Sequence, residues 1–283
     1  MVEEDLHLGK LSAVLLCGML GGSISFVWAD ERVHWRYAGG RPVFVGGAGC
    51  ALSAHEELRH LNRRGYDLCF APRLKSCVWV AYALTPSDVS NQVGRIGFFK
   101  KDDDLRDVVQ SPDAYAGTGY DRGHMAPAQD MQYAEAVSRQ SFWMGNIMPQ
   151  RPLLNRGEWK RLEGVIHRKV VPNTRGEVAF RRVYVMAGPI FTKEAIKQYE
   201  RGESQVLKPA RYWKIVKYGV VVDAVVMDQA GDIRSVTVSE ISRQTGLEFF
   251  PDKQDDLRTF YLQFRRPIYC KSTEKGKEDE DEN

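Results

Sequence analysis

The segment DRGHMAPAQD, residues 121–130, places a carboxylate, a cation, a glycine and a histidine side by side. If this segment is extended, Arg122 and His124 point to one face, because alternate side chains of a strand share a side. A histidine whose pKa is about 6.5 is a natural base near neutral pH, and a guanidinium holds phosphate oxygens in bidentate fashion. Gly123 is expected to allow close approach to a substrate, and Asp121 to orient the loop.

A second segment, LNRGEWKRLE at residues 154–163, places an amide and a carboxylate near the start of a predicted helix. Asn155 supplies an amide oxygen, and Glu163 follows about two helical turns later. Mg²⁺ keeps most of its waters and needs one or two protein oxygen ligands. Each residue alone has an ordinary explanation, since an asparagine there is more often a helix cap. Together the two segments predict phosphodiester cleavage with a base, a phosphate clamp and a hard-metal ligand.

Charge is distributed unevenly along the 283 residues. The last thirteen residues, 271–283, carry three lysines and six acids, and they predict a charged, unstructured tail. Residues 30–270 contain 36 basic and 28 acidic side chains, a net charge of +8. This basic body favours a polyanionic partner, although solubility alone would also explain it.

The N-terminal residues 1–29 have the composition of an export segment. Residues 11–29 contain no charge, follow Lys10 and end in Val27-Trp28-Ala29, an acceptable signal-peptide cleavage site. The same run is long enough to span a membrane uncleaved, and a buried core helix is a third interpretation. We therefore predict export to the periplasm or medium, with a retained membrane anchor through residues 11–29 as the alternative.

Cleavage after Ala29 would leave four cysteines, an even number that suggests disulfides in an exported protein. Cys69 and Cys77 flank a probable turn and are predicted to bridge two paired strands. Cys50 and Cys270 would then form the second bond. Four cysteines allow three pairings, and four buried thiols are the alternative.

The pattern along residues 30–270 predicts one α+β domain around a largely antiparallel sheet with flanking helices. The predicted strands are residues 66–70, 76–84, 182–187 and 215–227, and the predicted helices are residues 53–65, a helix from Asn155 that ends before Pro172, and residues 238–243. Residues 87–120 are polar and predict a long loop over the site.

Six motifs, taken in order, resemble those of the DNA/RNA non-specific endonucleases, which include secreted bacterial nucleases and mitochondrial endonuclease G. The matching motifs are Trp79-Val80-Ala81-Tyr82, Gly119 to His124, Gly145 to Gln150, Leu154-Asn155 with Trp159 and Leu162-Glu163, Gly188 to Phe191, and Thr245 to Phe250. They extend over about two-thirds of the chain.

The resemblance implies the ββα-metal (His-Me finger) fold and cleavage of both DNA and RNA to 5′-phosphate and 3′-hydroxyl ends. It implies that His124 is the general base, Arg122 a phosphate contact, Asn155 the sole direct protein ligand of one Mg²⁺, and Glu163 the acid that binds a metal water. It further matches Asn146 to an asparagine lining the site in a supporting role, and Arg95 to another phosphate-binding arginine. Mn²⁺ or Ca²⁺ would suit the same oxygen ligands, and dimers are common in the family.

The chain departs from the family pattern at Arg156, where many members carry glutamine, and at Gly164, a poor helix former. Arg156 is expected to add a phosphate contact. Two other functions stay open on the sequence: a catalytically silent nucleic-acid-binding or DNA-uptake surface protein, and a phosphodiesterase for small substrates. A histidine base also predicts that activity falls as the pH drops through roughly 6–7.

Overall fold

A seven-stranded antiparallel sheet forms the centre of the fold. The computed structural model describes residues 43–44, 52, 57–176, 179–219 and 221–249. Its strands are β1 (Val43–Phe44), β2 (Arg59–Asn62), β3 (Asp67–Ala71), β4 (Ser76–Leu84), β5 (Asp121–His124), β6 (Ile147–Gln150), β7 (Val183–Ile190), β8 (Arg211–Tyr218), β9 (Val221–Asp228), β10 (Ile233–Ser235) and β11 (Leu247–Glu248). Its α-helices are α1 (Pro86–Ser90), α2 (Glu135–Ser141), α3 (Trp159–Arg168), α4 (Lys193–Glu200) and α5 (Val238–Thr245).

The main sheet runs in the order β10-β9-β8-β7-β4-β3-β2, and two further pairs, β1–β11 and β5–β6, lie outside it. The predicted hairpin is confirmed as β3 and β4, and the predicted later strands are confirmed as β7, β8 and β9. Nearly every residue of β4 is buried, as expected for a strand whose two faces are both covered. Trp79, Tyr82 and Trp213 are among the largest fully buried side chains of the described residues.

The predicted helix over residues 53–65 is wrong where the structure describes it. Residues 59–62 form the edge strand β2, in which Leu61 pairs with Leu68 of β3. Pairing with a neighbouring strand outweighs the local helix signal, because propensity is a weak prior that tertiary contacts override. The capping-box residues 53–56 lie outside the described residues.

The predicted Cys69–Cys77 disulfide is also wrong, because Cys77 is a buried free thiol. A register shift between β3 and β4 places Cys69 opposite Trp79 and Phe70 opposite Cys77. The two sulfurs therefore do not face each other across the ladder. Cys50 and Cys270 lie outside the described residues, so their pairing stays a prediction.

Residues 87–120 form an extended covering segment with only short helical turns, as the sequence predicts. After α1, two 3₁₀ turns cover Asp103–Leu105 and Pro112–Tyr115. Leu105 and Tyr115 are buried, and the Tyr115 hydroxyl donates to the carbonyl of Ile147 at 3.2 Å. These contacts hold the segment against β6.

The DRGH segment is extended, which places Arg122 and His124 on one side of β5. It pairs with β6, and His124 lies opposite Ile147. An ideal Cβ on Gly123 would lie 2.2 Å from Oε1 of the buried Gln150. Glycine is therefore required here by packing within the hairpin, and this is a different reason from the predicted approach of substrate.

Helix α3 follows the hairpin and completes a strand–strand–helix unit. The chain enters it through a π-type turn at Leu154–Glu158, where Gly157 departs from helical geometry. Trp159 then packs on Tyr212 of β8 with ring centroids 5.6 Å apart, and the Tyr212 hydroxyl donates to the Pro149 carbonyl at 2.7 Å. The predicted helix is confirmed from Trp159, while Asn155 lies in the preceding turn.

The predicted C-terminal helix is confirmed as α5, which is longer by two residues. Thr237 caps it by accepting a hydrogen bond from the Glu240 amide, and Gly246 ends it in the left-handed conformation at φ 69°. Within the described part of the chain, no helix combines the length and apolarity needed to cross a membrane. The predicted export segment and the charged tail lie outside the described residues.

Candidate active site

An open cleft of about 710 Å³ lies between β5, the π-type turn, α3 and the covering segment. Six of the seven predicted site residues line it: Arg95, Arg122, His124, Asn155, Arg156 and Glu163. Phe99, Tyr115, Trp159 and Lys160 also contribute to its wall. The structure thus brings together side chains from segments that are separated by up to 68 positions.

His124 lies between two aromatic rings at the wall of the cleft. Its imidazole centroid is 5.0 Å from the ring of Phe142 and 5.5 Å from that of Phe99. The Trp159 indole donates to the His124 carbonyl at 3.2 Å, which ties α3 to the end of β5. Within the described residues, Nε2 is buried and has no hydrogen-bond partner.

Burial and the nearby positive charge of Arg95 lower the pKa of His124 to about 3. Both effects disfavour the protonated ring, because burial removes water from an imidazolium and a like charge repels it. The imidazole is consequently neutral at pH 7. A neutral imidazole is the form that a general base requires.

Two arginines stack on the rings that enclose the histidine. The Arg122 guanidinium carbon lies 4.6 Å from the Phe99 centroid, and that of Arg95 lies 4.8 Å from the Phe142 centroid. Both side chains are exposed, so their donors are accessible from the cleft. Stacking restricts the planar cations without using their hydrogen-bond donors, which suits them to an anionic ligand beside His124.

Asp121 organises the opposite side of the cleft. Its Oδ2 accepts from Nδ2 of Asn155 at 2.9 Å, and both of its oxygens accept from Arg156 at 2.7–2.8 Å. The hydrogen bonds from Arg156 and Asn155 lower the pKa of Asp121. Because the amide nitrogen of Asn155 is held by the carboxylate, its oxygen is left for another partner. Arg156 is engaged by Asp121, so its phosphate contact stays a prediction.

Glu163 lies on α3 and lines the cleft, with 16% of its side chain exposed. Its Oε1 is 3.5 Å from Nζ of the fully buried Lys214. Burial raises the pKa of Glu163, and the charge of Lys214 opposes that rise. Burial in turn lowers the pKa of Lys214.

Asn146 is fully buried and does not line the cleft, so its predicted supporting role and substrate contact stay predictions. Its Oδ1 accepts from the Ala126 amide at 2.8 Å, and its Nδ2 donates to the carbonyls of Ala126 and Ser141. All of its polar groups are used within the protein. Asn146 therefore holds the chain that follows His124.

Sequence reasoning missed the residues that surround the base and the acid. Phe99, Phe142 and Lys214 belong to ordinary apolar or basic stretches, and no local spacing connects them to the two motifs. Phe99 has a partial sequence signal, since it lies four positions after Arg95, which the resemblance matches to a phosphate-binding arginine. Only the tertiary contacts assign the three to this site.

The donor set fits a hydrated hard cation. No cluster of three or more histidine, cysteine or acidic side chains that could hold a metal occurs among the described residues. The cleft instead offers one amide oxygen and one carboxylate, a combination that Mg²⁺ accepts when water completes its shell. Oε1 of Glu163 is buried and lies 3.5 Å from Nζ of Lys214, so the other carboxylate oxygen is the one left for a metal-bound water.

The sequence pattern of one family, DNA/RNA non-specific endonuclease, matches residues 49–256. This range covers more than half of the chain and contains every residue of the cleft wall. The chain belongs to the DNA/RNA non-specific endonuclease family. The family assignment agrees with the order of the six motifs and with the strand–strand–helix unit.

Curated relatives are similar to this family member over most of its length. Mitochondrial endonuclease G of Bos taurus is 27% identical over 212 residues, which cover 68% of this chain and 69% of that protein. Nuclease C1 of Cunninghamella echinulata is 29% identical over 221 residues, which cover 69% of this chain and 83% of that protein. A nuclease of Nostoc is 30% identical over 198 residues, which cover 69% of this chain and 65% of that protein.

A solved structure supports the fold of the family. In the crystal structure of the EndoG/EndoGI complex, one chain matches with a TM-score of 0.56 at 22% identity, covering 69% of this chain and 86% of that one. The fold is therefore the predicted α+β, ββα-metal nuclease fold. Hairpin β5–β6 and helix α3 are its two strands and helix.

Proposed function

We propose that this protein is a divalent-metal-dependent endonuclease that hydrolyses phosphodiester bonds in DNA and RNA and leaves 5′-phosphate and 3′-hydroxyl ends. The observation that carries the proposal is the neutral imidazole of His124 at the wall of the same cleft as Asn155 and Glu163. The family membership and the names of the relatives support nuclease chemistry. Two exposed arginines beside the histidine favour recognition of the backbone, which carries no base sequence.

His124 acts as the general base in this mechanism. Its imidazole takes a proton from the attacking water, and the low pKa keeps the ring unprotonated beforehand. Arg122 and Arg95 hold the phosphate oxygens and stabilise the negative charge that develops on them. The aromatic rings of Phe99 and Phe142 keep the imidazole and both guanidinium groups in fixed positions.

Asn155 and Glu163 would hold the metal ion, Asn155 directly through its amide oxygen and Glu163 through a metal-bound water. When bound, Mg²⁺ supplies Lewis-acid stabilisation of the leaving 3′ oxygen and an acidic water to protonate it. Asp121 fixes the orientation of the Asn155 amide. Mn²⁺ and Ca²⁺ suit the same oxygens, and a comparison of the three ions would identify the one that supports turnover.

Digestion of plasmid DNA and of RNA by purified protein tests the proposal. We expect EDTA to abolish cleavage of both, and His124→Ala to lower the rate by roughly 10²–10⁴-fold while nucleic-acid binding persists. His60→Asn, in β2 and outside the cleft, is the matched control and should retain the wild-type rate. Product ends that accept labelling by polynucleotide kinase only after phosphatase treatment would identify 5′-phosphates. Cleavage undiminished by the chelator would contradict the metal-dependent mechanism.

The same digestion experiment distinguishes an endonuclease from a catalytically silent nucleic-acid-binding protein. Such a protein would retard nucleic acid on a gel in a salt-sensitive way and yield no fragments at any metal concentration. A phosphodiesterase for small substrates would cleave dinucleotides but not polymers, so comparing the two substrates distinguishes it from an endonuclease.

We further propose that the protein is exported, with residues 1–29 as a cleaved signal or as a retained anchor. N-terminal sequencing of the mature protein separates the two outcomes: a start at Asp30 indicates cleavage, and an intact start in a membrane fraction indicates the anchor. Sedimentation of the mature protein would report on the homodimer that the resemblance suggests.

A further inference from the structure

A buried lysine lies directly beneath the proposed metal site. Lys214 is on β8, and none of its side chain is exposed. Its Nζ lies 3.5 Å from Oε1 of Glu163 and 4.0 Å from the ring centroid of Trp159. Removing an ammonium from water is costly unless a nearby charge compensates it. The position of Lys214 therefore needs a partner, and Glu163 is within ion-pair distance.

The second buried carboxylate of this region already has its partners. Asp130 is 1% exposed, and its Oδ2 accepts from the Tyr82 hydroxyl at 3.0 Å. Its Oδ1 lies 2.8 Å from Nδ1 of His167, one turn beyond Glu163 on α3. Both oxygens of Asp130 are thus used by side chains other than Lys214. Glu163 is the carboxylate within ion-pair distance of Lys214, and the charge of Asp130 also acts on this lysine.

We propose that Lys214 is a positioning residue that holds the Glu163 side chain turned so that it can bind a water of the metal shell. This inference rests on the proposed function, because it assigns Glu163 to the metal site. Lys214 contacts Glu163 on its buried side, where the ammonium also packs on the Trp159 ring. Glu163 itself lines the cleft. The lysine itself does not line the cleft, so it has no contact with substrate.

Calorimetric titration of the substrate-free protein with Mn²⁺ tests the inference without relying on turnover. Lys214→Met removes the charge and keeps an unbranched side chain that is one heavy atom shorter, and we expect the metal dissociation constant to rise by roughly 10–100-fold. The Michaelis constant for nucleic acid at saturating metal should stay unchanged. Lys217→Met is the matched control, because Lys217 is a second buried lysine of β8 and its Nζ packs over Tyr184 rather than near Glu163. This control should bind Mn²⁺ as the wild type does.

A double-mutant cycle distinguishes positioning from general damage. If Lys214 acts through Glu163, the variant Lys214→Met/Glu163→Gln should bind Mn²⁺ no more weakly than Glu163→Gln alone, because coupled residues are not additive. Additive losses would overturn the inference and indicate a structural role for the lysine. An unchanged affinity in Lys214→Met would overturn it as well.

Folding is monitored in parallel by thermal unfolding of each variant. If Lys214→Met does not fold, Lys214→Gln, which is also uncharged and retains a hydrogen-bond donor, replaces it in the same cycle with the same expected outcomes. The failure of the proposed function has a different signature, since the wild-type protein and Glu163→Gln would then bind Mn²⁺ equally or not at all. A wild type that binds Mn²⁺ through Glu163 with no effect of residue 214 would reject only this inference.

Discussion

The surroundings of His124 determine which protonation state the histidine has near neutral pH. A solvent-exposed histidine would lose its function as a base when the pH falls through about 6.5. Here two phenyl rings bury the imidazole, Arg95 repels a proton, and the pKa falls to about 3. The structure thus moves the acid limit well below the roughly 6–7 that the sequence alone predicts.

The first prediction concerns that limit. Protonation inactivates a base, so kcat/KM measured at saturating metal should stay level as the pH falls from 7 to 5 and decline only nearer the lowered pKa. Saturating metal is needed because burial raises the pKa of Glu163 and its protonated form binds a metal water poorly. Phe142→Leu should rehydrate the imidazole and move the decline to higher pH. An inflection at about 6.5 in the wild type would contradict the inferred burial effect.

The β5–β6 hairpin depends on close packing between its two strands. Gly123 faces Gln150, whose side chain is fully buried. A side chain at residue 123 would overlap it, so either Gln150 or the strand that carries His124 has to shift.

We accordingly predict that Gly123→Ala lowers the free energy of unfolding by about 1–3 kcal/mol and reduces the turnover number. Urea unfolding and single-turnover cleavage measure the two effects. A variant as stable and active as the wild type would show that Gln150 relaxes at no cost.

Helix α3 contains a glycine whose replacement by alanine is expected to stabilise the protein. Gly164 is in the helix interior, and a Cβ there would approach nothing closer than 3.4 Å, the tip of Arg168. Gly164→Ala should therefore raise the free energy of unfolding by about 0.5–1 kcal/mol, because alanine restricts the unfolded chain and favours the helix. Metal affinity should be unchanged. Destabilisation in the same urea assay would indicate that α3 is held tighter than its contacts suggest.

At the scale of the whole molecule, the basic body and the cleft arginines predict salt-dependent binding of nucleic acid. The body has a net charge of +8 over residues 30–270, and each phosphate neutralised releases counterions. In the His124→Ala background, Arg122→Ala and Arg95→Ala should each reduce the slope of log affinity against log salt by about 1. Arg73, which pairs with Glu200 outside the cleft, provides the control. If all variants have the same slope, neither arginine contacts a phosphate in the complex.

Much of the fold could be predicted because its signals are local. Strands β3, β4, β7, β8 and β9 are marked by apolar runs, and α5 by a capping threonine and a terminal glycine. The strand β2 could not be predicted, since only its pairing with β3 overrides the helix signal of its own residues. The disulfide failed for a related reason, because strand pairing places Cys69 opposite Trp79 and Cys77 opposite Phe70, and no local pattern reports that register.

The sequence by itself determined the chemical groups of the candidate site, because His124, Arg122, Asn155 and Glu163 occur in two short motifs whose spacing reflects one hairpin and one helix. The tertiary structure alone decided how those groups behave. It buried Asn146, enclosed the imidazole between Phe99 and Phe142, and placed Lys214 behind Glu163. Protonation and metal affinity depend on charges and solvent within a few ångströms, and those neighbours come from distant parts of the chain that no local pattern connects.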